Sequence, residues 1–386
     1  MAPDKETLIA RARDLVPALR EAAKETSANR LVAPALVEEM QRRELLGVLQ
    51  PKKFGGLQHD YTVFIEIIMA LAQGCGSAAW VYGILGESMW ILASFSEEAQ
   101  REVWGADPLT RSAASIVPVT SAEAATGGWR ITGRWPFASG CDHAQWAILG
   151  ALAESGGRRR PFDFLIPMRE LAVIDDWHVL GLAGTGSKSL AAQGVFVPAH
   201  RVMNHEDLLR GEAPGSKVHP DYPLCRTPRS LLASMTLVSV VVGLAQRMVE
   251  LFADYTKGRV SRGAHVAESE AVQLRLAEAA AEADTASLLL RTTCAANVAS
   301  VAKGEAITPE RLARSRRDIL FVVKLARQAV DRLYEASGAH ALYDDAPLQR
   351  VYRDVQAAAT HLFLKWDVGA LPYGRLRLGL PVEGPL

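Results

Sequence analysis

Apolar positions along the chain fall into three textures. Over residues 5–106 they recur at three- and four-residue spacing, as in Leu8, Ala12, Leu15 and Leu19 and again in Phe64, Ile67, Ile68 and Leu71. That spacing gathers side chains on one face and predicts amphipathic helices. Pro51-Lys52-Lys53-Phe54-Gly55-Gly56-Leu57 interrupts the pattern and reads as a loop. Over residues 110–203 the apolar runs shorten and turn residues punctuate them, as at 129–133, 145–149 and 194–198. Such runs predict strands of a small barrel or sandwich. Over residues 228–371 long helical periodicity returns, with alanine-rich segments at 274–299 and 319–337 whose small side chains suit a closely packed four-helix bundle. The expected fold class is α+β, mostly α: an N-terminal helical unit over 1–109, a central β unit over 110–203 and a C-terminal helical bundle over 204–386.

Composition narrows the function. At 386 residues, with 49% apolar and 22% charged residues, the chain has ordinary globular composition. Its 43 basic residues balance 43 acidic ones, so no overall field favours nucleic acid. Arg158-Arg159-Arg160 beside Gly156-Gly157 reads as a solvated turn. Cys75, Cys141, Cys225 and Cys294 are scattered and form no Cys-x-x-Cys pair, which argues against a zinc site or a disulfide framework and for reduced thiols. The N-terminus lacks a basic start followed by an apolar run. The most apolar stretch, 231–245, contains Ser234, Thr236, Ser239 and Gly243 and is too short to span a bilayer. A soluble, cytoplasmic protein with no membrane partner, nucleic acid or metal is expected. Neither a Walker-type phosphate loop nor a strand-linked Gly-x-Gly-x-x-Gly nicotinamide fingerprint is present.

The segment from Tyr334-Glu335-Ala336-Ser337-Gly338-Ala339-His340 through Tyr352-Arg353-Asp354 to Leu364-Lys365-Trp366-Asp367 resembles the flavin-binding C-terminal region of the acyl-CoA dehydrogenase superfamily. Phe54-Gly55-Gly56-Leu57 is similar to the family's early aromatic-Gly-Gly loop, and Gly133-Arg134-Trp135-Pro136-Phe137-Ala138-Ser139-Gly140 to its flavin-lining strand. Gly184-Thr185-Gly186-Ser187 followed by Val195-Phe196-Val197-Pro198 resembles its next strand pair. In the dehydrogenases a glutamate ten residues beyond the tyrosine removes the substrate α-proton; here that offset holds Leu362, and no carboxylate occurs between Asp354 and Asp367. His361, on an expected helix over 354–366, and the form Trp-x-Phe-x-Ser-Gly-x-x-His-x-x-Trp instead resemble the group D two-component flavin monooxygenases, such as the oxygenase of 4-hydroxyphenylacetate 3-hydroxylase. The resemblance implies an oxygenase component that takes reduced flavin, FMNH2 in preference to FADH2, from a separate NAD(P)H-dependent flavin reductase. With O2 it would form a C4a-hydroperoxide that hydroxylates a phenolic or indole-type ring, in a homotetramer. Two alternatives remain open: oxygenation at nitrogen or sulfur on the same scaffold, and a dehydrogenase whose base has moved. A binding or scaffold protein that has lost its chemistry is the non-enzymatic alternative.

Residue roles follow from the same resemblance. Ser139 is placed near flavin N5, where a hydrogen bond resists proton loss; otherwise it serves the turn before Gly140. His361 would protonate the peroxide or deprotonate a phenol; otherwise it is a partly buried structural histidine. Trp135, Phe137, Ser139 and Gly140 are candidate flavin contacts, as are Ser337 and Gly338, with filling the barrel core as the alternative for Trp135 and Phe137. Trp146 is expected to fill the core, while His143 and His340 are lesser candidates at the flavin edge or phosphate. Arg259 and Arg262 resemble a basic turn for the flavin phosphate and equally suit a solvated loop. Arg353 is expected to pair with an acidic neighbour, and the helix start near Tyr352-Arg353-Asp354 to attract anions only if uncapped. Glu87, Ser88, Ser112 and Ser115 fall where related hydroxylases hold their phenol; Glu87, if inward-facing, would meet an amine or indole N–H, and otherwise lies exposed. The small or apolar residues of 83–90 and 112–116 suit a flat ring better than a CoA thioester.

Overall fold

The computed structural model describes residues 3–261 and 263–382, so Arg262 lies outside the described residues. The N-terminal helices are α1 (Lys5–Arg13), α2 (Val16–Asn29), α3 (Pro34–Arg42), α4 (Tyr61–Ala72), α5 (Gly76–Ala93) and α6 (Glu97–Trp104). Polar caps fix several starts: Asp4, Asp60 and Ser96 accept the amides of Thr7, Thr62 and Ala99. Helices α4 and α5 are buried along almost their whole length, which is why their sequences are apolar on every side rather than on one stripe.

Eight strands follow: β1 (Ser112–Ser115), β2 (Ala122–Ala125), β3 (Gly128–Ala138), β4 (Trp146–Ser155), β5 (Arg158–Pro167), β6 (Ala172–Ile174), β7 (Lys188–Pro198) and β8 (Val202–Asn204). They form two sheets, ordered β1-β4-β5-β8 and β2-β3-β7-β6, antiparallel except for the parallel β1–β4 pair. Ile131, Trp135, Phe164, Leu190 and Val197 fill a core separate from that of the helices. The arginine run corrects the sequence expectation. Gly156 and Gly157, at φ +60° and +72°, make the whole hairpin turn, and Arg158, Arg159 and Arg160 already pair with Ser155, Glu154 and Ala153.

The chain then runs through α7 (His205–Arg210) and α8 (Gly215–Val218) into α9 (Arg229–Lys257). A β9 (Val260–Ser261) and β10 (Ala264–His265) ribbon leads to α10 (Glu270–Ala302), α11 (Pro309–Ser337), α12 (Pro347–Ala359) and α13 (Trp366–Arg377). Helices α9 to α12 make the bundle, α13 lies on α11, and α9 also packs on α4 and α5. By length and composition α9 alone among the described helices is long and apolar enough to cross a membrane, but 72% of its most apolar window is buried in the bundle, as befits a central core helix.

Two expectations near the C-terminus need correction. Helix α12 begins at Pro347, so Tyr352, Arg353 and Asp354 lie inside it and offer no free amides. It ends at Ala359 rather than continuing to 366: the Thr360 hydroxyl bonds back to the Ala357 carbonyl, and His361 turns extended and accepts the Phe363 amide on Nδ1. Arg353 also departs from expectation, since no ion pair forms among the described residues and its buried Nε has no partner.

Candidate active site

Ser139 directly follows a distorted strand, β3. Between Trp135 and Ala138 the β3–β7 register slips, and Phe137 adopts φ +64° in the bulge. A left-handed phenylalanine is strained by roughly 1–3 kcal/mol, a cost that surrounding structure must hold in place. The bulge throws the Phe137 ring to the surface, 65% exposed and edge-on to Trp177. Beyond it, Gly140 at φ +71° turns the chain, and its amide bonds to the Thr185 carbonyl at 3.0 Å.

A string of hydroxyls converges on Ser139. Thr185 Oγ1 donates to the Leu182 carbonyl at 2.8 Å, and Ser187 Oγ lies 2.7 Å from both Thr185 Oγ1 and Ser139 Oγ. Each hydroxyl owns one proton. Because the Thr185 proton goes to Leu182, Ser187 must donate to Thr185, and Ser139 must donate to Ser187. Trp80 Nε1–H donates to Ser139 Oγ at 3.1 Å. Ser139 has therefore spent its proton and one lone pair, and it keeps one acceptor site. The string is anchored at its far end by Asp354, whose carboxylate accepts the Leu182 amide at 2.6 Å. Burial pushes the Asp354 carboxyl up to about 6 despite that bond and the nearby charges of Arg350 and Arg353.

His361 stands beside this string, its ring 6.0 Å from that of Trp80. Burial, helped by the charge of Arg229, depresses its imidazole to about 4. The ring is neutral at physiological pH, and since Nδ1 accepts from Phe363 the proton sits on Nε2. Leu362, at the offset of the dehydrogenase base, is an exposed apolar side chain.

The remaining candidates divide clearly. Of the two readings of Trp135, the core holds and flavin contact does not: it is fully buried in the sandwich, and its indole donates to the Gly150 carbonyl at 2.7 Å. Ser337 is likewise corrected, because its buried hydroxyl bonds back to Leu333 within α11. Arg259 and Gly338 do come together: a Cβ on Gly338 would lie 2.9 Å from Arg259 Nη2. The Arg259 guanidinium lies 4.8 Å over the Tyr255 ring and keeps a buried Nη1 without a partner among the described residues. Ser115 gives its hydroxyl to the Pro136 carbonyl beside the bulge, and Ser112 is buried with its hydroxyl on the Ala113 carbonyl. Glu87 is buried, not exposed, and pairs with Arg229 at 2.7 Å, a partner that leaves no need for an amine; Ser88 is buried with a free Oγ. His143 is buried with Nε2 unpartnered, Trp146 lies under the Arg201 guanidinium, and His340 is exposed on Tyr343.

A flavin fits these residues. The single acceptor site on Ser139, the exposed Phe137 ring and the unpartnered Arg259 nitrogen beside a left-handed glycine match its N5–H, its aromatic body and its phosphate. Residues 2–110 and 235–366 match the N-terminal and C-terminal domains of acyl-CoA dehydrogenase. Over 390 aligned residues the chain is 36% identical to the oxygenase component of FADH(2)-dependent resorcinol hydroxylase from Rhizobium sp. (strain MTP-10005), covering 98% of this chain and 95% of that one. The chain belongs to the flavin-dependent monooxygenase oxygenase components of the acyl-CoA dehydrogenase fold. Among solved relatives in this family, 3-HSA hydroxylase from Rhodococcus sp. RHA1 superposes with a TM-score of 0.94 at 33% identity, covering 99% of both chains. XiaF from Streptomyces sp., solved with FADH2 and glycerol, gives 0.89 at 28% identity over 99% of this chain and 97% of that one. The protein is thus an enzyme that uses reduced flavin to oxygenate a small molecule.

The sequence singled out Ser139 and His361, which both lie against Trp80, but not Trp80 itself, Thr185, Ser187, Arg229 or the anchoring role of Asp354. The signals were present: Thr185 and Ser187 lie in a glycine-spaced turn, and Trp80 shares a helical stripe with Ile84 and Glu87.

Proposed function

We propose that this enzyme hydroxylates a phenolic ring, with FADH2 supplied by a separate NAD(P)H-dependent flavin reductase. Of the two flavins expected, FADH2 is favoured because the resorcinol hydroxylase relative is FADH(2)-dependent and XiaF holds FADH2. When bound, the reduced flavin supplies the electrons that activate O2. The observation that carries this reading is the polarity of the hydroxyl string. It leaves Ser139 as an acceptor, which suits the N5–H of reduced flavin and has nothing to offer the bare N5 of oxidised flavin. His361, neutral and protonated on Nε2, presents a donor to the oxygen being transferred instead of a base to the phenol. Arg259 and the Gly338 backbone hold phosphate, and Phe137 covers the flavin edge. Self-association, for which a homotetramer is the expected form, is supported by apolar residues left exposed on bundle helices and on α13, among them Leu274, Leu288, Phe321 and Leu371.

Anaerobic titration with FADH2 and with FAD tests the reading. Reduced flavin binds more tightly than oxidised flavin, and Ser139→Ala narrows that preference by about fivefold, the worth of one hydrogen bond of about 1 kcal/mol. Equal affinity for both redox states in the wild type contradicts it.

A further inference from the structure

Glu87 and Arg229 form the most deeply buried carboxylate–guanidinium pair among the described residues, with side chains only 5% and 10% exposed. Two ions taken out of water gain little stability over an apolar pair of similar volume. Their surroundings suggest another use. Arg229 gives Nη2 to Glu87 Oε1, while its buried Nε has no partner among the described residues, and neither does the buried Ser88 Oγ. A buried orphan donor is costly unless something else satisfies it. Trp80, Ile84, Glu87 and Ser88 stand at i, i+4, i+7 and i+8 on one stripe of α5. That stripe begins at the Trp80 indole, which is bonded to Ser139 and adjacent to His361. The Arg229 charge reaches the His361 imidazole, and α5 packs on β1, which carries Ser112. The ion pair and the two orphan groups thus lie along the α5 stripe that leads to Trp80 and the proposed oxygen-transfer residues.

We infer that Glu87 determines substrate specificity: by holding Arg229 in an ion pair it leaves the substrate pocket without net charge, so the pocket admits an uncharged hydroxyarene and excludes aryl carboxylates. The free Nε–H of Arg229 and the Ser88 hydroxyl take one ring oxygen. A ring bearing a carboxylate has to displace Glu87 from Arg229 or lie buried beside a like charge, and both are unfavourable. The inference rests on the hydroxylase reading above.

The test compares resorcinol with dihydroxybenzoate on the flavin-loaded enzyme, measuring equilibrium binding of each ring and product formed per O2. The wild type binds resorcinol at least about 30-fold more tightly, which at about 1.4 kcal/mol per tenfold equals ~2 kcal/mol, the strength of one hydrogen bond to a charged group. Glu87→Gln frees Arg229 and shrinks that ratio by about tenfold or more. In Glu87→Gln/Arg229→Gln, which buries no unpaired charge, the neutral ring again wins. A wild type that prefers the carboxylate overturns the inference without any variant, and so does an unchanged ratio in Glu87→Gln. Selective binding of resorcinol with no hydroxylation of either ring sinks the hydroxylase reading and leaves the charge rule standing. Hydroxylation with no discrimination does the reverse.

Discussion

Replacing His361 by glutamine removes an acid-sensitive group from the centre of the site. The imidazole is depressed from 6.5 to about 4, first by burial and then by Arg229. A depressed base binds protons more readily in the unfolded chain, so its contribution to stability is intact above pH 6.5 and is lost as pH falls towards 4. At about 1.4 kcal/mol for each tenfold change in proton affinity, the loss amounts to about 3 kcal/mol. With about 2.1 cal/mol/K of unfolding entropy per residue, that corresponds to about 4 °C in melting temperature. Glutamine cannot titrate, so the flavin-free variant should gain this margin on the wild type between pH 7.5 and 4.5, the contributions of other groups cancelling in the difference. Melting curves of both proteins across that range provide the assay. Parallel curves would refute a buried neutral imidazole, and with it the assignment of His361 as a donor through Nε2.

Asp354 titrates in the opposite sense. Its buried carboxyl, raised from 3.8 to about 6, stabilises fully when protonated and loses about 3 kcal/mol as pH rises through that window. Asp354→Asn still accepts the Leu182 amide, so it should melt higher than wild type at pH 7.5 and show little difference near pH 4. Gly181→Ala would place a Cβ 2.1 Å from the Arg353 carbonyl oxygen. We expect it to cost about 1–3 kcal/mol and to weaken flavin binding by loosening the Leu182 anchor, both measurable by melting and titration. Arg259→Ala should raise the flavin dissociation constant by about 10- to 100-fold, the worth of a charge-assisted hydrogen bond or two, read by the same titration.

Periodicity made the helix, strand, helix order legible, because α4 and the runs at 129–133 and 194–198 carry their spacing locally. Position along an element was less legible. The arginine run looked like a loop because its exposure was readable and its pairing with β4 was not. Helix α12 stopped early because side-chain bonds from Thr360 and His361 outcompeted an alanine-rich helical preference. Long-range partners were not legible at all. Nothing local to Glu87 announces Arg229, 142 residues away, and nothing in Ser139 announces Trp80 or the Leu182–Asp354 anchor. Trp135 and Ser337 were misplaced for the same reason, since a motif specifies a strand or turn but not which face of it meets the ligand.

The central claim is that Ser139 accepts a hydrogen bond from reduced flavin beside a neutral His361, so that the enzyme activates O2 productively. The direct measurement is stopped-flow absorbance after mixing the anaerobic protein–FADH2 complex with oxygenated buffer. A near-ultraviolet transient that outlives free-flavin oxidation, shortens in Ser139→Ala and in Thr185→Val, and decays faster when a neutral phenol is present is the predicted result. Immediate reoxidation to FAD with no transient, in the wild type as in the variants, would contradict the account.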